Sequence, residues 1–316
     1  MTDTLRPFTL TVVLSARAQT GGGYHQAFTS LQMLTEQIPA NIRIRVLDEK
    51  KTFSEGLNVL IKAGRLSAEN IEYVPKRFEN FRDRVVVETG LFYRFVRWLL
   101  TLRGITVNSG PLARYLDASD TDLVYFVTPT MIAAELQIKP YIWTIWDLCH
   151  LDSPEFPEVR TSGKFEAREA AILRNIRKAA LVVVDSKKLE ENVRLSYGIT
   201  ADKFVTIPFS PALGVRSETP GKAELPPSVA SIRGKYLFYP AQLWSHKNHL
   251  RIAEAVSTLL SEGYDIHAVF VGKDHGAGNT LRKNISSLGV ENNVHFLGYV
   301  DDFLIPELYK QSLALV

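Results

Sequence analysis

Short apolar runs separated by helical patterns constrain this chain more than any other feature of its sequence. Phe8 to Leu14, Ile42 to Leu47, Ile71 to Val74, Leu123 to Thr128, Tyr141 to Trp146, Ala180 to Asp185 and Phe204 to Ile207 all read as strands. Between them lie helical stretches, such as the one with Ala27, Phe28, Leu31, Leu34 and Ile38 on a single face. Strands separated by helices cannot close as hairpins, so they pair in parallel through crossovers. The expected class is α/β, with a Rossmann-like sheet over residues 1–210. From Pro211 to Gly234 the periodicity fails among prolines and glycines, which marks a linker over 211–234. A second strand–helix series starts at Tyr236, so residues 235–316 form a second domain, and 316 residues are enough for two.

Chemistry is expected where strands end, because open parallel sheets bind ligands at the carboxyl ends of their strands. The stretch from Tyr236 to Leu250 is a short buried strand, a loop punctuated by Pro240, and a helix with Leu250, Ile252, Ala253, Val256, Leu259 and Leu260. The amino end of a helix offers unpaired N–H groups and the positive end of its dipole, which together suit phosphate. Lys247 stands just before that helix. An ordinary loop with a solvated lysine would look the same. Other candidate loops are Ser15 to Gly23, where glycines let backbone N–H groups approach a ligand, and Gly272 to Gly278, which opens with Gly272 and Lys273. Asp147 and His150 follow the strand that ends at Trp146. Asp147 would organise that loop and His150 would serve as a hydrogen-bond donor, although a loop histidine tied to Asp152 is as good a reading.

The loop Tyr-Pro-Ala-Gln-x-Trp-x-His-Lys-Asn-His, residues 239–249, resembles the donor-phosphate loop of the family-4 glycosyltransferases, which are retaining enzymes of the GT-B architecture. Lys247 and Asn248 match the family's Lys-Asn, while Ala241 and Gln242 stand where Gly-Arg is commoner. This variant is similar to a bacterial branch associated with mannose and surface polysaccharide. Residues 147–158 resemble the family's His-Asp-Leu-x-His-x-x-x-Pro-Glu region, with Trp146 replacing the first histidine. Val294 to Val300 matches its Phe-Leu-Gly-Tyr/Phe-Val turn.

The resemblance implies two Rossmann-like domains with parallel sheets, the second incomplete. It implies Lys247, His150 and Asp147 as catalytic residues, and Gly22, Gly23, Gln242, Lys247, Asn248, Gly272, Tyr299 and Val300 as donor-binding residues. It also implies transfer of a sugar from a nucleotide diphosphate sugar, GDP-mannose or a UDP-sugar, to a glycan or lipid-linked acceptor. The nucleotide sugar is a co-substrate, and neither a metal nor a cofactor is expected. Relatives continue past this point with a glutamate-bearing loop that has no counterpart here, so the expectation is a truncated enzyme of doubtful activity. A non-catalytic nucleotide-sugar-binding scaffold and a GT-B nucleotide-sugar epimerase are the alternatives.

A net charge of +3, with its charges interspersed, gives no basis for nucleic-acid binding. Cys149 is the single cysteine, which excludes an internal disulfide. The amino terminus shows no apolar signal segment and no run approaches membrane-spanning length, so the expected location is cytoplasmic. Leu91 to Arg103 is apolar around most of a helix and carries three arginines. It reads as a core helix, or as a basic aromatic helix in peripheral contact with the inner face of the cell membrane.

Overall fold

A computed structural model describes residues 6–15, 22–49, 51–75, 110–210, 225–232, 235–301 and 303–316. The helical reading of Leu91 to Arg103 lies outside the described residues, as do residues 16–21 of the glycine loop and most of the 211–234 stretch. The chain divides into two compact units. The first is Met1–Cys149 with Glu166–Ser210, and the second is His150–Phe165 with Pro211–Val316.

The first unit holds β1 (Phe8–Leu14), α1 (Gly22–Gln37), β2 (Ile42–Asp48), α2 (Ser54–Lys62), β3 (Ile71–Glu72), α3 (Pro111–Ala118), β4 (Leu123–Phe126) and β5 (Tyr141–Thr144). After α4 (Cys149–Asp152) and α5 (Pro157–Arg160), the first unit resumes with α6 (Lys164–Lys178), β6 (Leu181–Val184), α7 (Lys187–Tyr197) and β7 (Phe204–Thr206). The strands make one parallel sheet in the order β3-β2-β1-β4-β5-β6-β7. Seven strands at the expected places confirm the α/β class. Several are shorter than their apolar runs. The run ending at Trp146 leaves the regular ladder after Thr144, though the Ile145 N–H still donates to the Val183 carbonyl at 2.9 Å.

Local sequence explains the helix ends. Ser186, extended at φ −152° and ψ 155°, accepts a hydrogen bond from the Leu189 N–H at 3.2 Å and so caps α7. Gly198 closes that helix in the left-handed region at φ 65°, where a Cβ would be strained. Val12, Val13, Leu14, Val46, Leu47, Val124, Phe126, Trp143 and Val182 fill the sheet's interior at 0–1% exposure.

The second unit holds α8 (Pro227–Ala230), β8 (Lys235–Tyr239), α9 (His249–Ser261), β9 (Ile266–Val271), α10 (Gly278–Ser287), β10 (Val294–Gly298), α11 (Ile305–Gln311) and β11 (Ala314–Leu315). Its parallel sheet runs β10-β9-β8-β11. One face packs Ile266, Ala268 and Phe270 on Ile252, Ala253 and Val256 of α9 and Leu281 and Ile285 of α10. The other packs Phe238, Val269 and Val271 on Leu304 and Leu308. Burial on both faces is why β9 reads as a continuous apolar run from Ala268 to Val271 rather than an alternating one. This sheet is smaller than the first.

Candidate functional site

In the second unit the chain steps from β8 outward through β9 to β10, then returns to the other side of β8 with β11. The reversal makes the carboxyl end of β8 the topological switch point, where open α/β sheets form their crevice. The loop leaving β8 there is Pro240 to Asn248, which contains Gln242 and Lys247.

That loop is tied down along its length. The Leu243 N–H donates to the Lys273 carbonyl at 3.0 Å, joining it to the loop after β9. His249, 3% exposed, bonds the Ala241 carbonyl through Nε2 at 3.1 Å, with its ring against Tyr239 and Phe270. The Tyr239 hydroxyl donates to the Lys247 carbonyl at 2.9 Å, and the Lys247 N–H to the Trp244 carbonyl at 3.1 Å. Ser245–Lys247 forms a single 3₁₀ turn, and Asn248 then takes a left-handed conformation, φ 48° and ψ 43°, before α9 begins at His249. A non-glycine residue there costs on the order of 1 kcal/mol, which the surrounding bonds must offset.

The result is a helix amino end open to an anion. The first turn of α9 contains no acidic side chain, and Asn248 makes no side-chain cap. Among the described residues no carboxylate pairs with the exposed Lys247 ammonium. Gln242 has its amide oxygen occupied by the Trp244 indole N–H at 2.9 Å. Its NH2 is therefore the end left for other partners, and an NH2 is the donor a phosphate oxygen needs. Trp244 in turn stacks on His275, ring centroids 4.0 Å apart and 5° from parallel.

The neighbouring strands bring further candidates to the same edge. Gly272 ends β9 so close to the β8 loop that a Cβ would stand 2.4 Å from the Ala241 oxygen and 2.7 Å from Gln242 Cα. Its N–H donates to the Gly298 carbonyl at 2.8 Å, which places Tyr299 beside it. Tyr299 is exposed, while Val300 packs on the core of the sheet. Gln242, Lys247, Asn248, Gly272 and Tyr299 thus share the carboxyl edge of β8, β9 and β10.

Of the remaining sequence candidates, Gly22, Gly23 and Asp147 belong to the first unit and His150 to the second. Gly22 opens α1, where a Cβ would meet open space, whereas a Cβ on Gly23 would come within 3.1 Å of the Trp146 ring. Trp146 also meets Phe209 edge-on at 6.4 Å. Trp146, Phe209, Tyr125, Val127, Met33 and Ile207 line much of a cavity of about 430 Å³ in the first unit. Asp147 accepts hydrogen bonds from the Cys149 N–H and from the Arg168 guanidinium. Burial opposes ionisation of that carboxyl, but Arg168 and the Cys149 bonds outweigh it and hold the pKa below the ordinary range. His150 is fully buried in the second unit, its ring 5.4 Å from Phe165, and is not exposed at any surface.

Two contacts were not anticipated from the sequence. Glu158 bonds His246, and His249 bonds the loop backbone. Glu158 lies past the Pro154-Glu155 of the match and was signalled only as the end of the 147–158 segment. His249 was signalled as the last residue of the 239–249 loop match and as the start of the helix, with no partner assigned.

Burial pushes the His249 pKa down, the Ala241 carbonyl opposing this in part and Lys247 adding to it. Burial and the neighbouring His267 likewise lower that of His295. A histidine with a lowered folded pKa leaves the unfolded chain binding more protons. Stability is then complete above the ordinary value of about 6.5 and is lost as pH falls below it. The urea midpoint of the second unit should drop between pH 7.5 and 5.5, and drop less in His249→Gln. A flat profile would contradict this assignment.

Residues 225–316 match the family model described as glycosyl transferases group 1. The whole chain is similar in structure to several solved proteins. For Anabaena HepE in complex with UDP and glucose the TM-score is 0.60 at 14% identity, covering 97% of this chain and 73% of that one. For a variant of S. aureus TarM in complex with fondaparinux, alpha-GlcNAc-glycerol and UDP it is 0.60 at 11% identity, covering 98% and 80%. For WaaG, a glycosyltransferase involved in lipopolysaccharide biosynthesis, it is 0.54 at 16%, covering 97% and 74%. A comparison with curated proteins gave no match. The two parallel-sheet units therefore have the GT-B glycosyltransferase fold, with the second the smaller. Among the described residues no helix is long and apolar enough to cross a membrane.

Proposed function

We propose that this protein is a retaining glycosyltransferase of family 4 that moves a sugar from a nucleotide diphosphate sugar to an acceptor hydroxyl. The observation that carries the reading is Lys247, unpaired among the described residues, at the uncapped amino end of α9 and at the switch point of the smaller sheet. As the bond from sugar to phosphate breaks, positive charge develops on the sugar ring and negative charge on the departing diphosphate. Groups already aimed at that negative charge lower the barrier, because they need no reorganisation at the moment of reaction. Lys247 supplies the charge, the first N–H groups of α9 supply dipoles, and the Gln242 NH2 supplies a neutral donor where an arginine is commoner. Asn248 and Gly272 shape this seat, and Tyr299 and Val300 flank the base.

The donor is GDP-mannose or a UDP-sugar, and the match of residues 225–316 to group 1 glycosyl transferases supports that class. The first unit is the acceptor side. Its apolar cavity suits an acceptor with a lipid portion, and a glycan of surface polysaccharide is the other candidate. Gly22 and Gly23 are proposed to approach donor and acceptor, Asp147 to organise its loop, and His150 to act from its buried position. No metal or cofactor is required by this scheme.

Calorimetric titration of the full chain with UDP-glucose, GDP-mannose, UDP and GDP tests the proposal. Saturable binding of at least one nucleotide series is expected, with most of the affinity retained by the free diphosphate. Absence of binding across all four would overturn it.

A further inference from the structure

We infer that Glu158 is a positioning residue for the Lys247 loop and acts through His246. The inference rests on the reading of that loop as the seat of a diphosphate and names what keeps the seat in shape. The Glu158 side chain is only 8% exposed, yet it lies in the short helix α5, far in sequence from the loop. Its Oε1 accepts two hydrogen bonds from the residue just before Lys247, from the His246 backbone N–H at 2.9 Å and from His246 Nδ1 at 2.6 Å. Phe156, two residues earlier, packs edge-on against the same imidazole at 6.0 Å.

These contacts hold the loop from one side, and β8 holds it from the other through the Tyr239 hydroxyl on the Lys247 carbonyl. Residues 246 and 247 are therefore fixed between two independent anchors. They need to be, because the next residue, Asn248, is left-handed without being glycine and would relax if released. A carboxylate oxygen that accepts from two donors of one loop residue fixes the geometry of that residue. In agreement, burial would raise the Glu158 pKa, but the two His246 bonds bring it below the ordinary range. Among the described residues the Glu158 carboxyl bonds His246 and makes no ion pair with Lys247, so its effect on a bound anion passes through the loop.

The test uses the full chain and two readouts. The first is amide hydrogen exchange over residues 243–250 without ligand. Glu158→Ala should raise exchange in this loop about tenfold or more while β8 and β9 keep the parent's protection. Glu158→Gln, whose amide oxygen can accept the same two bonds, should restore most of it. Parent-like protection of the loop in Glu158→Ala would overturn the proposal, and so would loss of protection throughout the second unit in both variants.

The second readout is UDP affinity. Glu158→Ala should weaken UDP about tenfold, and should add almost nothing in a Lys247→Met background. An undiminished loss in that background would show that Glu158 acts by another route and would overturn the proposal. If the parent chain binds no UDP, the diphosphate reading of the loop falls by itself, and the exchange result still decides whether Glu158 holds the loop.

Discussion

Replacing Lys247 with methionine should weaken UDP binding roughly ten- to a hundredfold while leaving the fold intact. The size follows from removing a charge-assisted hydrogen bond to phosphate, worth about 1.5–3 kcal/mol, or about a factor of ten for each 1.4 kcal/mol. The fold should survive because the side chain is exposed and, among the described residues, bonded to no other side chain. Only its backbone takes part in the loop, through Trp244 and Tyr239, and methionine keeps that backbone. The loss should shrink as salt rises, since screening weakens the ammonium's attraction for phosphate in the parent and has no charge to act on in the variant. Titration at low and high ionic strength checks both statements. Equal affinity of parent and variant at low salt would remove Lys247 from the site.

Gly272→Ala should destabilise the second unit by roughly 2–4 kcal/mol. The added methyl would sit 2.4 Å from the Ala241 oxygen and 2.6 Å from its carbonyl carbon. These are backbone atoms, which cannot swing aside as a side chain can. The glycine also has φ 155°, at the margin of what an L-residue adopts. To relieve the clash the loops after β8 and β9 must separate, which endangers the bond from the Leu243 N–H to the Lys273 carbonyl. UDP affinity should therefore fall with stability. Urea unfolding followed by far-ultraviolet circular dichroism gives the first quantity, and an unchanged midpoint would show that the two loops are not packed as described.

The layers of the fold were legible in the sequence for a simple reason. A strand segment buried on both faces, such as Ala268–Val271, must be apolar throughout, and a helix on a sheet must be apolar at its own period. Those demands write themselves into neighbouring residues. Strand ends were less legible, because they depend on how far the partner strand extends: Ile71–Glu72 is short since only Val46 and Leu47 pair with it. Lys247 could be singled out through the resemblance of its loop, because a strand before it and a helix after it would equally suit a solvated lysine. Glu158 could not be joined to His246, since 88 positions separate them and no periodicity connects the two. The orientation of the Gln242 amide was likewise invisible, because it is set by one indole N–H two residues on.

The second unit is discontinuous in sequence, assembled from His150–Phe165 and Pro211–Val316. It is therefore not a portable module. A chimera that grafts residues 211–316 onto another amino-terminal half inherits Lys247 and α9 but borrows whatever carboxylate its host offers to His246. A boundary drawn at residue 211 leaves behind the segment that carries Glu158, the partner of His246.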